Sequence, residues 1–200
     1  MCARHRPLIC LLLPSAWCAA LAPAQQPHPL CGGEYHYRWL EKTDTTLAAL
    51  PPVAVELDTI VQTWTTPLLP ADDWCAPRTA KERRTYAVVG WVRVFRLEAD
   101  SDWHVELTST AAAPLVGCII AEIPPVRYGA VFARARAQLA RALLSSAVSG
   151  RGYVRPPVRL RIVGAAFYDA WHLTHGGHGD CNQQPGGLWE LHPVFSVAAP

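Results

Sequence analysis

The order of strand-like and helix-like segments after Thr85 limits the possible folds more than any other feature of the chain. Three segments have the alternating or continuous apolar patterns of β-strands, one then has helical spacing, and two more strand patterns end the chain. The strand segments are TYAVVGWVRVFRLE, DWHVELTS, PLVGCIIAEI, PVRLRIVGAAFYD and LWELHPVFSV, and the helical segment is YGAVFARARAQLARALL. A mainly β domain with one internal helix is therefore expected over residues 85–200.

This order is that of the OB-fold, a five-stranded Greek-key barrel with a helix between its third and fourth strands. The first strand of such a barrel must bend to serve both sheets, and the first segment is long and contains Gly90. A helix is predicted from about Tyr128 to Leu144, with one face against the barrel end. That face consists of Phe132, Ala135, Leu139 and Leu143. We predict an OB-fold-like barrel with one helix between strands 3 and 4; another small antiparallel barrel or sandwich is the alternative.

The first 24 residues have the pattern of a secretory signal peptide. Arg4 and Arg6 precede the apolar run PLICLLLPSAWCAALA, and Ala22, Pro23 and Ala24 form a small-x-small cleavage pattern. The apolar run is interrupted by Pro14 and is too short to span a bilayer comfortably. We expect cleavage after Ala24, a secreted or periplasmic protein, and no transmembrane segment after cleavage.

Removing these 24 residues from the 200 leaves 176, which is enough for one domain with a real core. Residues 25–84 are rich in Pro and Thr and are predicted to be an irregular N-terminal arm that packs on the barrel domain at 85–200. The two leader arginines account for the fall in Lys plus Arg from 18 to 16, which equals the 16 Asp plus Glu. Nucleic-acid binding depends on neutralising phosphates, so a net charge near zero does not favour it.

Four cysteines remain after the leader: Cys31, Cys75, Cys118 and Cys181. An even number in an exported chain predicts two disulfides, and the spacing does not distinguish the three possible pairings. No two of these cysteines are close enough in sequence to form a zinc knuckle.

Six ionisable side chains lie at or near the ends of the predicted strands: His104, Glu122, Asp169, His172, Glu190 and His192. A hairpin of the second and third strands would bring His104 opposite or diagonal to Glu122. Such a set could ligate a divalent metal ion, with His104, His172 and His192 as candidate ligands, or act as acid and base on a bound ester. We favour the alternative of a structural cluster without a cofactor, because strand-end histidines commonly hydrogen-bond carboxylates.

The loop after His172 also contains His175, His178 and Cys181, with glycines between them. A flexible His/Cys tract can bind a metal ion. A disulfide would remove Cys181 as a ligand, and ordering the glycines would cost conformational entropy. We therefore expect a surface loop.

The segments YAVVGWVRVFRLEADSDWHVEL, IIAEIP, VRLRIVGAAFYDAWH and ELHPVFSV resemble, in this order, a family of exported bacterial proteins without an assigned activity. Its motifs read G-x-L, E-x-D-x-D-x-H, I-x-E-I-P, V-x-G-x-x-F-x-D-x-x-H and E-L-H-P-V. The resemblance covers Thr85 to Val197 and implies an exported, OB-like protein. The chain departs from the family after His172, where a shorter H-G-Q-x-G stretch is usual.

We predict an exported small β-barrel domain that acts as a binding or structural module of the bacterial envelope, with an unknown ligand or envelope partner. The alternative is a metal-assisted hydrolase of the phosphodiesterase or nuclease type that uses the His/Asp/Glu cluster. Oligonucleotide or oligosaccharide binding is a third hypothesis that rests on fold analogy. The sequence has no G-x-S-x-G, H-E-x-x-H, P-loop or dinucleotide fingerprint. An open cleft would favour an enzyme, and a buried, mutually hydrogen-bonded cluster a structural role.

Overall fold

The computed structural model describes Cys31, residues 36–181 and residues 188–200, so the predicted signal peptide lies outside the described residues. The helices are α1 (Trp39–Lys42), α2 (Leu57–Thr63), α3 (Ala130–Ala142) and α4 (His172–His175). The strands are β1 (Val53–Ala54), β2 (Thr85–Leu97), β3 (Trp103–Thr108), β4 (Ile119–Ile123), β5 (Ala147–Val148), β6 (Tyr153–Tyr168) and β7 (Trp189–Ala198). Short 3₁₀ turns lie at Thr46–Ala49, Leu115–Gly117 and Val126–Tyr128.

Five of these strands close into a barrel. β2 pairs antiparallel with both β3 and β6, β3 pairs with β4, and β6 pairs with β7. The barrel closes where β4 and β7, its third and fifth strands, pair in parallel. α3 follows β4 and precedes β6, so the helix comes between the third and fourth barrel strands. The predicted OB-like barrel is confirmed.

The long first barrel strand has an irregularity in its pairing, but this irregularity is not at Gly90. β2 pairs with β6 from Thr85 to Val94 and with β3 from Trp91 onward, and the register of both pairings shifts between Val92 and Val94. Gly90 serves close packing instead. A Cβ atom there would lie 3.2 Å from both Leu107 Cβ and Leu57 Cδ1.

The predicted helix face is buried. Phe132, Ala135 and Leu139 are inaccessible to solvent, and Leu143 is nearly so. α3 is two residues shorter at each end than the predicted span of 128–144, because the chain before it forms the 3₁₀ turn at Val126–Tyr128. These side chains belong to the same apolar core as the inward-facing residues of the barrel strands.

The arm contributes to this core along its described part. β1 adds to the barrel by pairing in parallel with β2, and α2 buries Leu57 and Ile60. The guanidinium of Arg38, which is fully buried, donates to both carboxylate oxygens of Glu82 at 2.8 and 3.1 Å. Paired in this way, the two charges can be buried between arm and barrel.

Both predicted disulfides form. One joins Cys31 to Cys75 within the arm, and the other joins Cys118, just before β4, to Cys181 in the loop that precedes β7. The second bridge holds that loop against the outside of the barrel. Among the described residues, no helix has the length and apolar character needed to cross a membrane.

Candidate functional site

A buried polar cluster covers the outer face of β3, β4 and β7. On β3, His104 and Glu106 alternate with Val105 and Leu107, which lie in the apolar core. Successive side chains of a strand point to opposite faces, so the polar pair faces away from the barrel interior. The same alternation puts Glu122 of β4 and Glu190 and His192 of β7 on the outside. We call this face the outer wall.

Imidazoles and carboxylates alternate in a continuous chain of contacts along the outer wall. His192 lies 3.1 Å from Asp102 through Nε2 and 2.9 Å from Glu122 through Nδ1. The other oxygen of Glu122 lies 2.9 Å from His104 Nδ1, whose Nε2 is 3.2 Å from Glu106. The Asp102 contact is an electrostatic one, because neither atom has a well-aligned hydrogen bond among the described residues. All five side chains are buried.

Burial and pairing act in opposite directions on these groups. Burial alone would lower the pKa of His104, but hydrogen bonds to Glu106 and Glu122 raise it to about 10. Burial would likewise lower the pKa of His192, and its carboxylate neighbours raise it well above the usual value. Burial would raise the pKa of Glu122, but the two imidazoles hold it well below the ordinary range. At neutral pH two imidazolium ions therefore flank an ionised Glu122.

Glu190 connects the outer wall to the loop before β7. Its Oε2 lies 3.3 Å from His192 Nδ1, and its Oε1 accepts a hydrogen bond of 2.5 Å from His178 Nε2. Burial and the charge of Glu122 would raise the pKa of Glu190, but the two imidazoles lower it to about 2. The pairing of Glu190 with His192 on one strand face is the arrangement that the alternation predicts.

The arm supplies a cation to the same place. Lys42 of α1 donates to Asp169 Oδ2 at 2.8 Å, just beyond the end of β6. Burial would lower the pKa of Lys42, but Asp169, Glu190 and Glu122 raise it. The Nε2 atom of His172 is 3.9 Å from the same oxygen, Asp169 Oδ2.

An open cavity of about 500 Å³ lies between the outer wall and the loops around it. The loop from β2 to β3 and the loop from β6 to β7 form its rim, and the outer faces of β3 and β4 form its floor. Its carboxylates are Glu98, Asp100, Glu122, Asp169, Asp180 and Glu190, its lysine and arginine are Lys42 and Arg96, and its imidazoles are His36, His104, His172 and His178.

The structure brings all six predicted residues to one region. His104, Glu122, Glu190 and His192 lie near the ends of β3, β4 and β7, and Asp169 and His172 follow the end of β6. Five of them line the cavity, and His192 lies behind it without solvent exposure. The three candidate metal ligands are separated. Glu122 lies between His104 and His192, and His172 stands on the other side of the cavity with Asp169.

Three participants were missed from the sequence, namely Asp102, Glu106 and Lys42, and His178 was assigned to a loop apart from the cluster. Asp102, His104 and Glu106 are spaced two residues apart, which is the period of a strand. This spacing could have predicted that all three share one strand face. Lys42 carried no sequence signal, since it reaches the site through the tertiary packing of the arm. The expectation of a surface loop holds for the exposed His175, which stacks on Trp171, but is wrong for the buried His178.

Comparison of the chain with protein-family models, with curated proteins and with solved structures found no match. The resemblance to an exported bacterial family therefore stays a prediction. The case for a function rests on the geometry of the outer wall and its cavity.

Proposed function

We propose that the protein is an exported binding module of the bacterial envelope, and that its ligand occupies the outer-wall cavity. The cavity is the observation that carries this proposal. A cluster whose groups only satisfy one another needs no adjoining open space. Here about 500 Å³ of space adjoins buried polar atoms, and Asp169 Oδ1 and His178 Nδ1 have no hydrogen-bond partner among the described residues. Eight other buried side-chain atoms of the described residues also lack a partner, but only these two belong to residues that line the cavity, where a bound ligand could reach them.

The position of the cavity supports the same proposal. OB-fold proteins bind ligands on the face of their second and third strands, between the loops that join strands 1 to 2 and 4 to 5. In this barrel those elements are β3, β4 and the two loops at the cavity rim. This support is an analogy of fold and does not by itself identify a ligand.

The charges around the cavity restrict the chemistry of the ligand. Six carboxylates outnumber one lysine and one arginine, and a cationic His104 leaves the balance negative. Phosphates and nucleic acids would be repelled. A ligand that is neutral and rich in hydroxyl groups, or that carries positive charge, fits this field.

Export is supported by two independent features of the chain. The two disulfides are of the kind that persists in oxidising compartments, such as the periplasm or the cell exterior. Residues 1–24 have the pattern of a signal peptide.

The alternative function, a metal-assisted hydrolase, has one observation in its favour. His178 is oriented by Glu190 through Nε2, and its unpartnered Nδ1 belongs to a residue that lines the cavity. An imidazole held by a carboxylate in this way is suited to proton transfer. The described residues that line the cavity include no serine, threonine or cysteine that could act as a nucleophile, so the binding function is the one we propose.

The test uses a substitution that fills the cavity without removing a polar contact. Ala99 is exposed at the cavity rim, whereas Ala133 is exposed on α3 and does not line the cavity. Amino sugars, polyamines and neutral oligosaccharides would be screened for a rise in the melting temperature, because a ligand of the folded state stabilises it. We expect ligands found this way to lose binding in Ala99→Trp and to keep it in the control variant Ala133→Trp.

Two results would count against the proposal. Ligand binding that is equal in Ala99→Trp and in the wild type would place the site elsewhere. Hydrolysis of bis(p-nitrophenyl) phosphate that disappears in His178→Ala would establish the hydrolase alternative instead.

A further inference from the structure

We infer that the cavity holds one divalent transition-metal ion, Zn²⁺ or an ion of similar preference, bound by Asp169, His172 and His178. The inference rests on the proposed function, since it names a ligand of the same cavity. It differs from the metal site expected from the sequence, which combined His172 with His104 and His192.

The two imidazoles are held as metal ligands usually are. The Nδ1 of His172 donates to the carbonyl oxygen of Gly176 at 2.6 Å, which leaves Nε2 as the lone-pair nitrogen of the neutral ring. His178 donates through Nε2 to Glu190, which leaves Nδ1 as the lone-pair nitrogen. Metal-ligating histidines typically donate their other nitrogen to a carbonyl or carboxylate in this way.

The carboxylate is oriented in the same manner. Lys42 donates a hydrogen bond to Asp169 Oδ2. The other oxygen, Oδ1, has no hydrogen-bond partner among the described residues, although Asp169 is only 2% exposed. The Nδ1 of His178, also 2% exposed, lacks a partner as well. Two buried residues that line one cavity thus each keep one donor atom unused.

The loop must close before the three residues can share one ion, because their ligand atoms do not all lie within 4.8 Å of one another. His172 Nε2 is 3.9 Å from Asp169 Oδ2, and the imidazole rings of His172 and His178 have centroids 4.8 Å apart. Ligand atoms about 2.0–2.1 Å from a tetrahedral Zn²⁺ lie roughly 3.3 Å from each other. Gly176 and Gly177, both with positive φ, separate the two histidines, so the backbone between them can adjust.

The identity of the ion follows from the ligand types. Two imidazoles and one carboxylate suit Zn²⁺, Co²⁺ or Ni²⁺, whereas Mg²⁺ and Ca²⁺ prefer oxygen ligands throughout. Glu190 and Glu122 line the same cavity, and their charge exceeds that of Lys42. Three protein ligands would leave a coordination position open toward the cavity, where a polar ligand of the binding module could reach the ion.

Two other groups of donors lie closer together, within 4.8 Å, but each fits an ion less well. Asp102, Glu122 and His192 lie within 4.8 Å of one another, but the two carboxylates contact opposite nitrogens of the ring, so His192 joins them as an imidazolium. Cys118 and Cys181, the near neighbours of Glu106, form a disulfide and have no thiolate to offer.

The experiment is a Zn²⁺ titration by calorimetry, with Co²⁺ absorption as a second reading, on the mature chain purified without a His tag and stripped with chelator. We expect one ion per chain and a higher melting temperature with the metal. His178→Ala and Asp169→Asn should weaken binding more than about 100-fold, and Glu190→Gln roughly 10–100-fold, since it removes only the orienting partner. His172→Ala repeats the test at a side chain that is 24% exposed and tolerant of replacement.

The matched control is His175→Ala, in the same loop but exposed and stacked on Trp171. It should bind the ion as the wild type does. Absence of Zn²⁺ binding by the wild type, equal binding by His172→Ala, or loss of binding in Asp102→Asn but not in His172→Ala would each overturn the inference. Ala99→Trp distinguishes failure of the metal site from failure of the proposed function, because that variant keeps all three metal donors. If the wild type binds no Zn²⁺ but binds an organic ligand that Ala99→Trp does not bind, the metal site alone is rejected.

Discussion

The inner and outer faces of β3 are both buried, but by opposite means. Val105 and Leu107 face an apolar core and need no specific partner there. His104 and Glu106, on the other face, are as inaccessible as the core residues and are each placed by particular ionic partners. An apolar face is stabilised by the area removed from water, whereas a polar face must offset desolvation with pairing. Removing one residue should therefore have different consequences on the two faces.

The largest effect is expected from His192→Ala on the outer wall. The substitution would leave Asp102, Glu122 and Glu190 buried without their shared cation. Breaking a buried ion pair on one side typically costs 3–5 kcal/mol, and we expect about 4 kcal/mol here. Urea unfolding followed by circular dichroism measures this change, with the exposed His175→Ala as a control that should stay within about 0.5 kcal/mol of the wild type.

A somewhat smaller effect is expected from Leu107→Ala on the inner face. Leu107 is fully buried in the barrel, so the substitution creates a cavity and should lower the free energy of unfolding by about 3 kcal/mol. The same unfolding experiment compares the two faces directly. A loss for Leu107→Ala that clearly exceeds the loss for His192→Ala would reverse the comparison and assign the outer wall a minor part in stability.

A more gradual effect is expected from pH, which removes charge and leaves every side chain in place. The pKa of His104 rises from 6.5 to about 10 on folding, so its contribution is complete below pH 6.5 and is lost as the pH rises toward 10. The pKa of Glu122 falls on folding from 4.5, so its contribution is complete above pH 4.5 and is lost as the pH falls further. Stability should therefore be greatest between about pH 4.5 and 6.5.

Melting temperatures measured from below pH 4.5 to about pH 10 check the pH prediction. In His104→Gln the decline above pH 6.5 should become shallower, because the group that loses its proton there is gone. An equally steep decline in that variant would show that other groups control the alkaline side and that His104 is not a cation of the outer wall.

Much of the candidate site was readable from the sequence because a strand has a period of two. The order of patterns predicted the barrel, and the register of β3 on β4 places His104 directly opposite Glu122 as expected. The location of the strand irregularity was not readable. The sequence pointed to Gly90, but the register shifts between Val92 and Val94. At Gly90 the absent side chain instead leaves room for Leu57 and Leu107 close to the backbone.

The sequence by itself determined the alternation that gives a strand such as β3 one apolar and one polar face. It also supplied the four cysteines that two disulfides require. Only the tertiary structure decided what covers the polar face. Lys42 arrives from the arm, and His178 arrives on a loop held by Cys181. Periodicity is a local property of the backbone, so it specifies which side chains share a face. Partners distant in sequence are selected by packing and by the pairing of buried charges, which no local pattern records.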